Sequence, residues 1–191
     1  MDEDRAAFRK FVVVGNSGSG KTTFARKLAG LTGIKHIELD SINHLPNWTA
    51  CPPEQFREEL EKQILEAEKT SNGWVTCGNY TRATQCFHHR KADCVVWLDL
   101  PRNVIMRRVV KRTLKRAFYR ETLWNGNRES LSNLYHWNPE RNIMVWAWTS
   151  FPIVRARYEK MTTEGTWDHL TVVRLKTPKE IADFLRNFQP E

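Results

Sequence analysis

The chain has 191 residues, of which 40% are hydrophobic and 27% are charged. This composition excludes a disordered chain, and no apolar run approaches the roughly 20 residues of a membrane-spanning helix. Lys and Arg outnumber Asp and Glu by 30 to 22, a net charge of +8, which suits nucleic acid, an acidic membrane surface or a phosphorylated small molecule.

The length predicts one domain over residues 1–191. Residues 1–4 are acidic, whereas a secretory signal would be basic. The four cysteines form no CxxC pair, which disfavours zinc. We therefore expect reduced thiols in a cytoplasmic protein that does not associate with membranes. The sequence leaves the oligomeric state open.

Apolar strands and helices alternate along the chain. The predicted strands cover residues 11–14, 37–39, 74–76, 94–98 and 170–173. The predicted helices cover residues 22–31, 52–69, 102–120 and 139–160, and a last helix begins at residue 178. Apolar strands without alternation, joined by helices, predict a parallel sheet covered on both faces. Ligands of such sheets bind at the carboxyl ends of the strands.

A glycine-rich stretch follows the first strand and fits the pattern G-x-x-x-x-G-K-[ST] of a phosphate-binding loop. The predicted nucleotide-binding residues are Gly15, Asn16, Ser17, Gly18, Ser19, Gly20, Lys21, Thr22 and Thr23. Backbone N–H groups and the following helix suit an anion, Lys21 suits the β and γ phosphates, and the Thr22 hydroxyl suits Mg²⁺. An ordinary glycine-rich turn is the alternative, but the flanking strand and helix favour phosphate binding. No N-K-x-D motif of a GTPase is present.

The positive charge is confined to one segment. Residues 101–120 contain eight Lys and Arg and no acid, so the other 171 residues are neutral in sum. The side chains of Arg108, Arg112, Arg116 and Arg120 repeat every four residues and form one stripe on the predicted helix. Because these charges repel one another, an anion is expected nearby.

The chain resembles the adenylate-kinase-like branch of P-loop kinases. Within it, the chain is most similar to the small kinase-like proteins labelled "DNA topology modulation" (FlaR-related) proteins. Besides residues 15–22, the resemblance rests on residues 37–40, 74–75, 78–80, 92–102, 123–129 and 155–158. The Gly-Asn-Tyr and Leu-Trp-Asn-Gly-Asn-Arg-Glu stretches point to the narrower group.

The resemblance implies a three-layer α/β/α P-loop NTPase fold. It implies a five-stranded parallel sheet of order 2-3-1-4-5 and an arginine-rich helical lid over about residues 106–136. The implied function is an ATP-dependent phosphotransferase that uses Mg²⁺. It would move the γ-phosphoryl group to a small acceptor: a nucleotide, a nucleoside or another metabolite.

The resemblance also assigns roles. Lys21, Asp40 and the lid residues Arg112 and Arg116 would be catalytic, and Thr22 and Asp40 would hold the metal. The implied acceptor-binding residues are Asp40, Asn79, Arg82 and Arg128. For Asp40 the alternative is a turn or helix cap, and for Arg82 it is an exposed arginine. For the lid arginines it is a solvated basic face or a nucleic-acid patch.

Two further positions bear on the metal site. One departs from the pattern of the similar nucleoside monophosphate kinases, and the other resembles a metal-binding acid. Cys77 occupies the place of an acid, and a thiol does not supply a carboxylate's charge beside Mg²⁺. Asp99 follows four apolar residues like a metal-binding acid, but the resemblance favours a structural role. A nucleic-acid-associated ATPase, in line with the narrower group's label, or an ATP-binding regulatory protein remain the alternatives. Nucleic acid is therefore a conceivable partner that the sequence does not favour.

Overall fold

A computed structural model describes residues 8–80, 88–119, 121–128, 138 and 142–188. Its centre is a five-stranded parallel sheet, in which the side chains of β1, β5 and β6 are almost wholly buried. The sheet strands are β1 (Lys10–Gly15), β2 (Lys35–Glu38), β5 (Trp74–Cys77), β6 (Cys94–Leu98) and β7 (Thr171–Leu175). A separate two-stranded antiparallel hairpin consists of β3 (His44–Leu45) and β4 (Thr49–Ala50).

The sheet order is β2-β5-β1-β6-β7. The labels differ from the expected 2-3-1-4-5 because the hairpin adds two strands to the numbering. When only the sheet strands are counted, the two orders agree. The predicted P-loop NTPase fold class is therefore confirmed.

Helices cover the sheet. In chain order they are α1 (Lys21–Thr32), α2 (Leu39–Asn43), α3 (Pro53–Thr70), α4 (His88–Lys91), α5 (Arg102–Tyr119), α6 (Ile143–Thr163) and α7 (Pro178–Arg186). Short 3₁₀ turns occur at Pro46–Trp48 and Trp124–Gly126. None of the helices in the described ranges is both long and apolar enough to cross a bilayer.

Two apolar clusters on opposite faces of the sheet explain the layers. Alternate side chains of each central strand point to opposite faces, so Val12 and Val14 join one cluster and Phe11 and Val13 join the other. The first cluster packs against α3 and α6, and the second packs against α1 and α7. A third cluster holds α5 against α6 through Ile105, Val109, Ala147 and Phe151 among others.

The second strand ends earlier than the sequence predicts. β2 stops at Glu38, and α2 begins at Leu39, so Asp40 lies in a helix instead of at a strand end. Leu39 is buried in the same cluster as Ile37, so the side chain keeps the core position that the predicted strand gave it although the backbone has turned into α2. Glu38 therefore takes the place at the carboxyl end of the strand where ligands bind.

Candidate active site

The glycine-rich loop folds as a phosphate-binding loop between β1 and α1. Gly18 and Gly20 have φ values of 85° and 97°, a left-handed region that glycine adopts without strain. A Cβ at Gly18 would lie 2.4 Å from Val109 Cγ2, so glycine also permits α5 to approach the loop. Residues 15–23 are thus held between β1, α1 and α5, and the sequence alone did not reveal this contact with α5.

The Lys21 side chain folds over its own loop. Its ammonium group donates hydrogen bonds to the backbone oxygens of Gly15 at 2.8 Å and Asn16 at 3.1 Å. Burial lowers the pKa of Lys21, while the charge of Asp40 acts in the opposite direction. The ammonium group is thus held at the loop and shares one cavity with Asp40, where a cation would serve a phosphoryl group during transfer.

The loop fits a polyphosphate on two observations. The N-terminus of α1 begins after Gly20 with no side chain capping its N–H groups, which leaves donors for an anion. The side chains of Asn16 and Ser19 are buried, and their polar atoms have no hydrogen-bond partner among the described residues. Such atoms are costly unless a ligand or water satisfies them.

The arginine stripe of α5 faces this loop. Arg108 Nη1 donates to the backbone oxygen of Ser19 at 3.1 Å, and Arg112 Nη2 donates to Ser17 Oγ at 3.4 Å. Arg116 lies farther along, with Nε 3.8 Å from Glu121 Oε2 and its guanidinium carbon 6.0 Å from the centre of the Trp124 ring. Of the stripe, Arg120 lies outside the described residues.

Two acids, Glu38 and Asp40, lie near the phosphate-binding loop. The Thr22 hydroxyl donates to Glu38 Oε1 at 3.0 Å, so Glu38, and not Asp40, contacts the hydroxyl predicted to hold the metal. Hydroxyl and carboxylate oxygens are hard ligands that suit Mg²⁺. Glu38 was not predicted from the sequence, although a second acid two residues before Asp40, within the predicted strand, could have indicated it.

Asp40 is joined to an aromatic side chain instead. The Tyr80 hydroxyl donates to Asp40 Oδ1 at 2.7 Å and lies 3.3 Å from His44 Nε2. Burial, and then the neighbouring Asp40 charge, raise the pKa of Tyr80 well above its ordinary range, so the phenol stays protonated. Burial lowers the pKa of His44. Asp40 is therefore held as the acceptor of a hydrogen bond from Tyr80, with Lys21 as a charged neighbour in the same cavity.

Cys77 ends β5 beside the metal-binding candidates. Its sulfur lies 3.2 Å from His36 Nε2 and 3.8 Å from Thr22 Oγ1. Burial raises the pKa of the thiol to about 12. The thiol is therefore neutral at pH 7, and Glu38 and Asp40 are the acids that the described residues bring to this end of the cavity.

Of the remaining predicted acceptor residues, Asn79 and Arg128 lie in different parts of the described chain. Asn79 Oδ1 accepts from Gly15 N–H at 3.4 Å and from the Tyr158 hydroxyl at 2.9 Å, so it ties the end of β5 to β1 and α6. Arg128 Nε donates to Thr122 Oγ1 at 3.2 Å, so this side chain contacts the loop to which it belongs. Arg82 lies outside the described residues.

Asp99 has the structural contacts that the resemblance favoured. Its Oδ2 accepts from Arg174 Nε at 2.9 Å and lies 3.5 Å from Arg155 Nη2. Arg174 in turn packs over the Trp97 ring at 4.0 Å. Asp99 therefore anchors β6 to β7 and α6 instead of facing a metal.

One cavity of about 720 Å³ joins these parts, a volume typical of ligand pockets. Its lining includes residues 17–23 of the phosphate-binding loop and α1, the acids Glu38 and Asp40, the arginines Arg108, Arg112 and Arg116, residues 121–124 and one face of α7. The cavity can thus hold a polyphosphate at one end and a second molecule beside Asp40.

The chain is similar in sequence to kinases of two kinds. The chain is 29% identical over 105 residues to a shikimate kinase of Synechococcus elongatus, covering 51% of this chain and 55% of that one. It is 29% identical over 147 residues to a cytidylate kinase of Pyrococcus horikoshii, covering 64% and 69%. The chain thus spans little more than half the length of the shikimate kinase that it matches.

The fold also matches a solved structure. A shikimate kinase of Acinetobacter baumannii in complex with shikimate superposes with a TM-score of 0.51 at 16% identity, over 97% of this chain and 93% of that one. The family model of shikimate kinase matches residues 17–139, which include the phosphate-binding loop from Ser17 onward, the acids Glu38 and Asp40, and α5. On this match, the chain belongs to the shikimate kinase family.

Proposed function

We propose that the chain is an ATP-dependent phosphotransferase acting on a small hydroxyl-bearing or phosphate-bearing acceptor. The observation that carries this proposal is the shared cavity, which has cationic and backbone donors at one end and Asp40 at the other. Membership of a kinase family supports it. The finer resemblance to the "DNA topology modulation" proteins stays a prediction.

Residues 15–23, with Arg108 and Arg112, are suited to hold ATP, and Thr22 and Glu38 are suited to hold Mg²⁺. ATP would supply the γ-phosphoryl group, and Mg²⁺ would neutralise its charge. The ammonium of Lys21 and the guanidinium of Arg112 place positive charge where negative charge develops during transfer. Such fixed charges need no reorganisation at the moment of reaction.

Asp40 is the residue suited to receive the acceptor's proton. One carboxylate oxygen is held by Tyr80 at 2.7 Å, and the carboxylate's second oxygen can accept from an acceptor hydroxyl. We keep Asp40 as an acceptor-binding and catalytic residue, add Glu38 as a candidate metal ligand beside Thr22, and leave the metal-binding role of Asp40 as a prediction. Arg116, at the wall beside Trp124, and Arg82 and Arg128 remain candidates for contacting the acceptor.

The identity of the acceptor is open between two chemistries. Shikimate, named in a structurally similar protein, would offer a hydroxyl, and a nucleoside monophosphate, the substrate class of a cytidylate kinase, would offer a phosphate. The nucleic-acid alternative has less support, because Arg108 and Arg112 are directed to the phosphate-binding loop. In either case the cavity would take one small acceptor.

The test is ATP consumption by the purified chain with Mg²⁺, with shikimate, with each nucleoside monophosphate and with each nucleoside. We expect one acceptor class to accelerate ATP loss at least about tenfold above the acceptor-free rate. Equal rates with all acceptors, together with acceleration by DNA or RNA, would favour the nucleic-acid-associated ATPase.

A further inference from the structure

The loop after α5 contains the Leu-Trp-Asn-Gly-Asn-Arg stretch. The proposed function gives a role to Arg128 alone among these residues. We call residues 121–128 the lid-tail loop. It closes on itself through a hydrogen bond from Leu123 N–H to Asn127 O at 2.7 Å and a bridge between Thr122 and Arg128. The closed loop presents the side chains of residues 124, 125 and 127 to another part of the chain.

That other part is the short helix bearing Asp40. Asn125 Nδ2 donates to the backbone oxygens of Ser41 at 3.1 Å and His44 at 2.6 Å. These carbonyls lie in and just after α2, a helix of five residues. A helix this short does not hold its own conformation in water, so donors from a distant loop contribute directly to its placement.

The hairpin that follows α2 is held in the same way. Asn127 Nδ2 donates to Leu45 O at 3.0 Å, and Asn127 Oδ1 accepts from Trp48 N–H at 2.9 Å. Trp48 Nε1 also donates to the backbone oxygen of Arg128 at 3.2 Å. The side-chain amide of Asn127 thus supplies hydrogen bonds to a hairpin whose two-residue strands form few of their own.

Backbone strain occurs on both sides of this contact. Asn125 has φ of 53°, and Asn47 and Trp48 have φ of 61° and 59°. Such conformations persist only where surrounding contacts hold them. The contact between the lid-tail loop and the α2–β4 segment is therefore a specific fit.

The same loop is joined to the arginines of α5. Glu121 lies 3.8 Å from Arg116, and Trp124 stacks on His44 with ring centres 5.5 Å apart at 27°. His44 contacts Tyr80, which donates to Asp40. One continuous set of contacts therefore connects the arginine helix to the acid on the acceptor side.

We propose that Asn125 is a positioning residue that fixes Asp40 by holding the carbonyls of α2, so that the acceptor site is complete only when the lid-tail loop is docked. The inference rests on the proposed function for its kinetic consequence, but its structural part stands alone. It assigns a role to a loop some 80 residues distant in sequence from Asp40.

The experiment compares Asn125→Asp and Asn125→Gly with the wild type. Both residues tolerate a positive φ, so the substitutions remove the amide donors without adding backbone strain. Asn72→Asp is the matched control. Asn72 is exposed and precedes the amino end of β5, whereas the site lies at the carboxyl ends of the strands. Circular dichroism and thermal unfolding identify any variant that fails to fold.

The first readout is amide hydrogen exchange, which needs no substrate. In both Asn125 variants, exchange over residues 39–51 should accelerate about tenfold, while α1 and the sheet stay within about twofold of the wild type. Asn72→Asp should leave residues 39–51 unchanged. Unaltered exchange over residues 39–51 in folded Asn125 variants would overturn the proposal.

The second readout is the split of kinetic constants. Acceptor kcat/KM should fall about tenfold or more, while the KM for ATP and the acceptor-free ATP hydrolysis rate stay within about twofold. A general loss of stability would instead lower the acceptor-dependent and acceptor-free rates by the same factor, because it reduces the folded fraction of the enzyme. A loosened segment with unchanged acceptor kinetics would overturn the positioning role. If the wild type uses no acceptor at all, the proposed function fails, and hydrogen exchange still decides whether Asn125 holds α2.

Discussion

The two ends of the cavity are formed in different ways. We call the end proposed to hold ATP the donor end and the end beside Asp40 the acceptor end. At the donor end, consecutive residues 15–23 supply most of the binding groups, and α5 adds Arg108 and Arg112. At the acceptor end, α2, the end of β5 and the lid-tail loop each contribute one part, joined by hydrogen bonds between distant side chains and backbone. The donor end is therefore a property of local sequence, and the acceptor end is a property of the tertiary structure.

Of the changes that test this comparison one end at a time, the largest effect is expected from the lysine of the donor end. Lys21→Met removes the cation that is held at the phosphate-binding loop and shares one cavity with Asp40, and kcat for acceptor-dependent ATP turnover should fall about 10²- to 10³-fold. Lys160→Met, on an exposed lysine of α6, is the control and should retain the wild-type rate. Substantial turnover by Lys21→Met would show that the loop does not hold the reacting phosphates.

A smaller effect, on stability, tests whether α5 belongs to the donor end. Gly18→Ala would place a Cβ 2.4 Å from Val109 Cγ2 at a positive φ, so it should reduce the free energy of unfolding by about 2 kcal/mol. Gly30→Ala, in α1 with no atom within 4 Å of the new Cβ, should increase it by about 0.5 kcal/mol. Denaturant unfolding measures both changes, and equal effects would argue against the close approach of α5.

The smallest effect concerns His44 at the acceptor end. Burial lowers its pKa below the ordinary value of 6.5, with the Asp40 charge acting in the opposite direction. Because the folded-state pKa is the lower one, His44's contribution to the free energy of unfolding is complete above pH 6.5. It is lost as the pH falls through the folded-state pKa. An NMR titration of the imidazole should give a midpoint below 6.5, and a midpoint above it would mean that the hairpin does not bury His44.

The sequence predicts the fold well for a physical reason. Strands such as β6 are continuous apolar runs, and α3 and α5 begin within a residue of their predicted starts. The phosphate-binding loop was predicted because its function depends on glycines and a lysine at fixed spacing. Both signals are local, so no knowledge of distant contacts was needed.

The acceptor end was predicted only in part. Asp40 was recognised, but Glu38 was not, because β2 ends one residue before the predicted boundary and Glu38 takes the last strand position. Nothing local in residues 123–127 indicates that Asn125 would donate to carbonyls some 80 residues away. Such contacts depend on how the tertiary structure brings the lid-tail loop beside α2, and no sequence spacing encodes them.

The most direct test of the central claim, that one cavity serves donor and acceptor, is the phosphoryl-transfer rate of Asp40→Asn with the best acceptor, measured beside its affinity for ATP. The amide keeps the shape of the side chain but is a poor proton acceptor. We predict a fall in kcat of about 10²- to 10⁴-fold with ATP affinity within about threefold of the wild type. Transfer at the wild-type rate by Asp40→Asn would contradict the account.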